Sequence, residues 1–155
     1  MQFIAWGGIV AGIASFRFSD LSEGQEFAFD VAIRAEDIDT YARVSGDVSP
    51  LHMDAAFAKQ RGFRGRVAHG GLLGAYISRM VGVHCPGQNA LLQALDLKFL
   101  KPFYEGDTAH VTAQVDMLSA ATQVMVLKVQ ITDASTGQVH VRGKAQVGFT
   151  RSIGE

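Results

Sequence analysis

Asp47 and His52 stand on either side of a Ser49-Pro50 pair, in the run Tyr41-Ala-Arg-Val-Ser-Gly-Asp-Val-Ser-Pro-Leu-His-Met-Asp54. A carboxylate and an imidazole facing one water can divide the general acid and base roles between them. A turn at Ser49-Pro50 would bring the two side chains back together. Spacing alone leaves a second reading open, in which Asp47 organises the turn and His52 is an ordinary half-buried histidine. The other chemistry-bearing stretch is Val67-Ala-His-Gly-Gly-Leu-Leu-Gly74. Its glycines open an apolar helix, and a helix N-terminus leaves N–H groups unpaired and partly positive. With glycine there, a ligand oxygen can come close, as an oxyanion hole requires. The alternative is a tight helix entry that needs glycine for backbone reasons only. His69 is read as a structural histidine bonding a nearby backbone group.

Other chemistries find little support. His84, His110 and His140 fall on separate elements and no metal-ligand spacing is present, so no metal site is expected. Neither a phosphate-binding glycine loop nor a Gly-x-Ser-x-Gly context occurs, and no cofactor is expected. Cys85 is the single cysteine, which excludes an intrachain disulfide and is compatible with a reducing cytoplasmic setting. It is read as inert packing. Net charge is −1, against the basic footprint of a nucleic-acid binder. Arg61, Arg64 and Arg66 suit either a phosphate-bearing ligand or a solvated loop.

These residues need a scaffold, and the rest of the chain describes one. At 155 residues and 48% hydrophobic it fits one domain with a real core. Phe27, Phe29, Val31 and Ile33 alternate with polar or small residues and predict a strand over Glu26–Arg34. Ala35–Val44 carries early acids and an apolar face, which predicts a helix, with Gly46 as its left-handed cap. Asp47–Pro50 is expected as loop, because proline disfavours helix at the preceding residue. A short helix is expected over His52–Gln60, with Asp54 as a candidate cap. Gly70–Val83 is the strongest helix: Leu72, Leu73, Tyr76, Ile77, Met80 and Val81 make it apolar nearly all round, so it must be buried.

Period-two runs follow around Leu95–Phe99, Val111–Met117, Leu127–Ile131 and Val139–Phe149. Turn signals separate them at Tyr104–Asp107, Ser119–Thr122 and Ala134–Gly137. Long strands with short links predict a mainly antiparallel sheet wrapped around the apolar helix. The apolar run Phe3–Ala14 is too short to span a membrane and lacks the basic flank of a secretory signal, so residues 1–15 are expected as an extra strand or arm packed either on a domain of residues 16–155 or on a neighbour.

The two stretches together, Ser45-Gly-Asp-Val-Ser-Pro-Leu-His-Met-Asp54 and Phe63-Arg-Gly-Arg-Val-Ala-His-Gly-Gly-Leu72, resemble the MaoC-like dehydratases, which include the R-specific enoyl-CoA hydratases. The resemblance runs from about Phe27 to Phe149 and takes in Phe99-Leu-Lys-Pro-Phe-Tyr-Glu-Gly-Asp107. It implies an α+β hot-dog fold, a long central helix wrapped by a curved antiparallel sheet, and a homodimer with sites near the subunit interface. It also implies that Asp47 and His52 hold and activate water and that the Gly70 N–H binds a thioester carbonyl. The implied substrates are acyl thioesters of coenzyme A or of acyl carrier protein. Ser49, whose hydroxyl can still donate a hydrogen bond but with a shorter reach, stands two positions after Asp47, where the family commonly has asparagine. Ser49, Gly71, Leu73 and Ile77 are the expected substrate-binding residues, Leu73 and Ile77 as the lining of an acyl tunnel or else as plain core. A thioesterase on the same fold, or a non-catalytic acyl-thioester binding module, are the rival readings.

Overall fold

The computed structural model describes residues 12–150. Its strands are β1 (Glu26–Ala32), β2 (Ala90–Phe99), β3 (Thr108–Ser119), β4 (Val124–Asp133) and β5 (Val139–Phe149). They form one antiparallel sheet in the order β1-β3-β4-β5-β2. The helices are α1 (Ala35–Ser45), α2 (Pro50–Met53), α3 (Ala55–Gln60) and α4 (Gly70–Arg79), with a π-helical turn continuing α4 over Met80–His84.

Alternation in β3 and β4 sends Val111, Ala113, Val115, Leu127, Val129 and Ile131 to one face, all at most 2% exposed. That face meets α4 and its π-helical continuation, whose Leu73, Ile77, Met80 and Val81 are equally closed off from solvent. Full burial of such a side chain stabilises the fold by roughly 1.5–3 kcal/mol, so this helix-in-sheet contact contributes strongly to stability. The arrangement is the expected hot-dog fold.

Three details differ from the pattern. Pro50 does not lie in a loop: it opens α2, where its missing N–H costs nothing and its fixed φ suits the first helical position. The helix expected over His52–Gln60 is therefore two helices. His52 belongs to the first, and Asp54 caps the second by accepting from the N–H groups of Ala56 and Phe57. The buried helix does not stay α-helical to Val83: the Cys85 N–H reaches back to the Met80 carbonyl at 2.9 Å, a π-type closure. As expected, Gly46 ends α1 in the left-handed region, at φ 77°. Most of the N-terminal arm lies outside the described residues; its described end runs beside the turn after α4, with the Ala14 N–H donating to Val83 and the Gln88 N–H to Ala14.

Sheet curvature has a sharp requirement at Gly143 in β5. A Cβ there would stand 1.9 Å from the Asp96 carbonyl oxygen of β2, a backbone atom that cannot swing aside. Gly143→Ala is expected to lower stability by about 3 kcal/mol or more, at the top of the overpacking range. Gly65→Ala, where nothing lies within 4 Å of the added carbon, is expected to stay within about 0.5 kcal/mol. Urea midpoints of the two variants, compared at equal slope, decide the matter.

Candidate active site

The segment between α1 and α4 folds back on itself and brings Asp47, His52 and His69 together. Each offers one ligand-type atom, and these atoms lie within 4.8 Å of one another. Asp47 follows the left-handed turn at Gly46. Its N–H donates to Ser45 Oγ at 3.1 Å, and its Oδ1 accepts the Ser49 N–H at 3.2 Å. Asp47 thus does organise the local turn, as the second reading has it, and its Oδ2 takes no part in that turn.

His52 sits on α2 with its side chain 15% exposed. Its Nδ1 lies 2.7 Å from the Val67 carbonyl oxygen. A carbonyl only accepts, so Nδ1 carries the proton and the neutral ring presents a lone pair at Nε2. That Nε2 is 3.9 Å from Asp47 Oδ2, too long for a direct hydrogen bond. One water oxygen can sit ~2.8 Å from both, because twice that reach exceeds their separation.

His69 is 1% exposed and immediately precedes Gly70, the first residue of α4. Its Nε2 donates to the Asp47 carbonyl at 2.9 Å, and its ring stacks on that of His52 with centroids 3.9 Å apart and planes 28° from parallel. Short-range ligand spacing in the sequence could not show this cluster, because His69 arrives from a different element. A metal is not the group these atoms suit best. Stacked imidazoles aim their in-plane lone pairs alongside each other rather than at a common point, and one nitrogen of each ring is bonded to a carbonyl.

Behind His69 the chain enters α4. Among the described residues the Gly70 N–H has no acceptor within the chain, and the first helical bond of this turn runs from the Leu73 N–H to the His69 carbonyl. The Gly70 amide is therefore one of the orphan donors at a helix start. Each glycine here is closely approached: a Cβ on Gly70 would meet the Phe99 ring at 3.3 Å, and one on Gly71 would fall 1.8 Å from the Tyr41 hydroxyl oxygen. Close approach by a side chain of this same chain requires glycine at position 71, whereas the contact at position 70 is one that a small movement of the Phe99 ring would relieve.

The remaining expected site residues divide. Ser49 contributes through its backbone, which fixes Asp47 Oδ1 and caps α2 through its carbonyl. Leu73 and Ile77 are 2% and 0% exposed and pack in the core. Arg66 was not singled out from its neighbours by the sequence, yet its role is local. Its Nε donates to the His52 carbonyl at 2.6 Å, and its guanidinium pairs with Asp39 and lies 3.8 Å from Glu105. Arg64 pairs with Asp107, and Arg61 lies over the Phe57 ring. This loop is thus a set of braces. Cys85 is fully buried, and burial pushes its thiol up to about 12, which agrees with inert packing.

Two concavities among the described residues lie elsewhere, on the outer face of the sheet. One of about 420 Å³ is lined by residues of β1, β3 and β4, including Glu26, His110 and Lys128. The dyad is instead open at the surface of the single chain, with the Asp47 side chain 51% exposed. No helix among the described residues is long and apolar enough to cross a membrane.

The chain as a whole is similar to known proteins. The (R)-specific enoyl-CoA hydratase of Rhodospirillum rubrum is 33% identical over 130 residues, covering 84% of this chain and 89% of the relative. The enzyme of the same name from Aeromonas caviae is 29% identical over 127 residues, 82% of this chain and 94% of its own. The unliganded R-hydratase PhaJ1 from Pseudomonas aeruginosa superposes with a TM-score of 0.85 at 27% identity, over 92% of this chain and 90% of that one. The family model described as MaoC like domain matches residues 18–139, so by sequence as well as by shape the chain belongs to the MaoC-like family.

Proposed function

We propose that this protein is an (R)-specific hydratase of trans-2-enoyl thioesters, acting equally as the dehydratase of (R)-3-hydroxyacyl thioesters. Support comes from the hydratase and dehydratase names of its relatives. The observation that carries the mechanism is the separation of His52 Nε2 and Asp47 Oδ2, which one water can bridge. Between them these groups take a proton from that water as its oxygen bonds to C3 of the enoyl chain. Electrons of the C2=C3 bond move onto the thioester oxygen, where the Gly70 N–H and the α4 dipole stabilise the charge. Return of a proton to C2 completes the addition, and dehydration retraces the steps.

Gly71 borders the carbonyl site in this reading, and Ser49 holds Asp47 in place. Leu73 and Ile77 are the apolar groups that an acyl chain would meet along α4. The domain of this reading is residues 16–155, and its setting is cytoplasmic. A homodimer completes it: β2 is an edge strand, and Leu91, Leu95, Phe99 and Leu100 on or beside it are 38–56% exposed. Pairing that edge with a second copy would cover these side chains and wall the open dyad.

The test is a crotonyl-CoA assay with three readouts: enoyl absorbance, a thiol-trapping dye and the configuration of the product. Loss of absorbance, no free thiol and an (R)-3-hydroxy product are expected. Thiol release would replace this reading by a thioesterase. Calorimetric binding without turnover at any chain length would replace it by a binding module.

A further inference from the structure

We propose that His69 is the positioning residue of the site, a clamp whose Nε2–H sets the separation between the catalytic carboxylate and the catalytic imidazole. This rests on the function proposed above and adds a role to a residue outside the reacting set.

Three contacts meet in this one side chain. The Nε2–H holds the Asp47 carbonyl at 2.9 Å. The ring face lies against His52. Its own peptide leads directly into the Gly70 N–H, with the backbone extended at φ −59° and ψ 138°. The other neighbour is Tyr41 of α1, tilted at 50° with centroids 4.9 Å apart, so His69 is wedged between an aromatic ring and His52. At 1% exposure it has no freedom to leave this slot.

Asp47 otherwise hangs on bonds within its own turn, to Ser45 and Ser49. Those bonds tie the turn to the end of α1 and the start of α2, but not to α4. Among the described residues, the His69 bond is the hydrogen bond that carries the Asp47 backbone to the helix bearing Gly70. Without it the turn after Gly46 can shift while the fold stays closed. A shift of about 1 Å in a reacting group is enough for a loss on the order of 10²-fold.

The tautomer follows from the same geometry. The Asp47 carbonyl can only accept, so Nε2 is protonated, and the buried Nδ1 has no partner among the described residues. A histidine kept only to fill the helix entry would not need its donor at Nε2. The proposed clamp does.

Two replacements separate the roles. His69→Gln places an amide N–H near the position of Nε2 and keeps the donor. His69→Met has comparable length and no donor. With crotonyl-CoA as substrate, His69→Met is expected to lose about 10²-fold in kcat with KM nearly unchanged. His69→Gln is expected to recover most of that loss, at a Tm close to that of His69→Met. Equal kcat in the two variants, or a loss confined to KM, overturns the clamp. If neither variant folds, imidazole nitrogen NMR of the wild type decides: an Nε2–H, Nδ1-unprotonated ring supports it, and the opposite tautomer overturns it. The failures are distinguishable. An inactive wild type sinks the proposed hydratase and this role with it, whereas an active wild type with equal variants sinks only the role of His69.

Discussion

His52→Asn is expected to lower kcat/KM for enoyl-thioester hydration by about 10²–10⁴-fold while leaving the fold intact. The choice of asparagine matters. Its side-chain amide nitrogen takes nearly the place of Nδ1, so the bond to the Val67 carbonyl is preserved. What disappears is the Nε2 lone pair that faces Asp47. His52→Ala removes both, and so confuses lost chemistry with a lost tether between α2 and the segment leading into α4. Asp47→Asn is the matching change: an acceptor oxygen remains for the Ser49 N–H, but the charge goes. Losses under about tenfold in both variants, from an active wild type with unchanged Tm, would remove Asp47 and His52 from the reaction.

The second large effect is expected at Gly70, and the comparison needed is between proline and alanine. Gly70 is the first residue of α4, the position at which a helix accepts proline most readily. His69 already has the extended backbone that precedes proline without strain. Gly70→Pro therefore deletes the N–H and keeps the helix start. Gly70→Ala keeps the N–H and adds a Cβ that presses on the Phe99 ring at 3.3 Å, a contact that a small ring movement relieves. Removal of one oxyanion donor lowers kcat by about 10²–10³-fold, and that loss is expected for proline alone. Steady-state kinetics with crotonyl-CoA, beside circular dichroism of each variant, gives the answer. Equal activity in the two variants would mean that the amide does no electrostatic work.

Much of this was legible before any coordinates. Asp47, His52 and Gly70 were readable because each lies in a run whose neighbours also constrain it: a glycine cap before Asp47, a proline before His52 and an apolar helix after Gly70. The sheet was readable because the core-facing residues of β3 and β4 alternate without interruption. Other features were hidden for physical reasons. Pro50 carries two opposed preferences, ending a helix before it and starting one at its own position, and local sequence does not say which prevails. Leu95 and Phe99 alternate like core residues but are 38% and 53% exposed, since β2 is the sheet edge and strand order is not written in periodicity. The register shift between Leu92 and Ala94 is invisible for the same reason. His69 does bond a backbone group, as expected, but which carbonyl it and Arg66 would reach was hidden, because a carbonyl acceptor belongs to every residue alike.

The bond between His69 and Asp47 joins positions 22 residues apart. It closes a ring of chain with a proposed reacting group near each end. Most of the ring, through α3 and the Gly62–Gly65 bend, lies away from those ends. Doubling the length of a flexible loop adds only about 0.6 kcal/mol of closure entropy. Relatives can therefore lengthen, shorten or recut the middle of this ring, and with it whatever the surface there recognises, while the atoms at the knot keep their places.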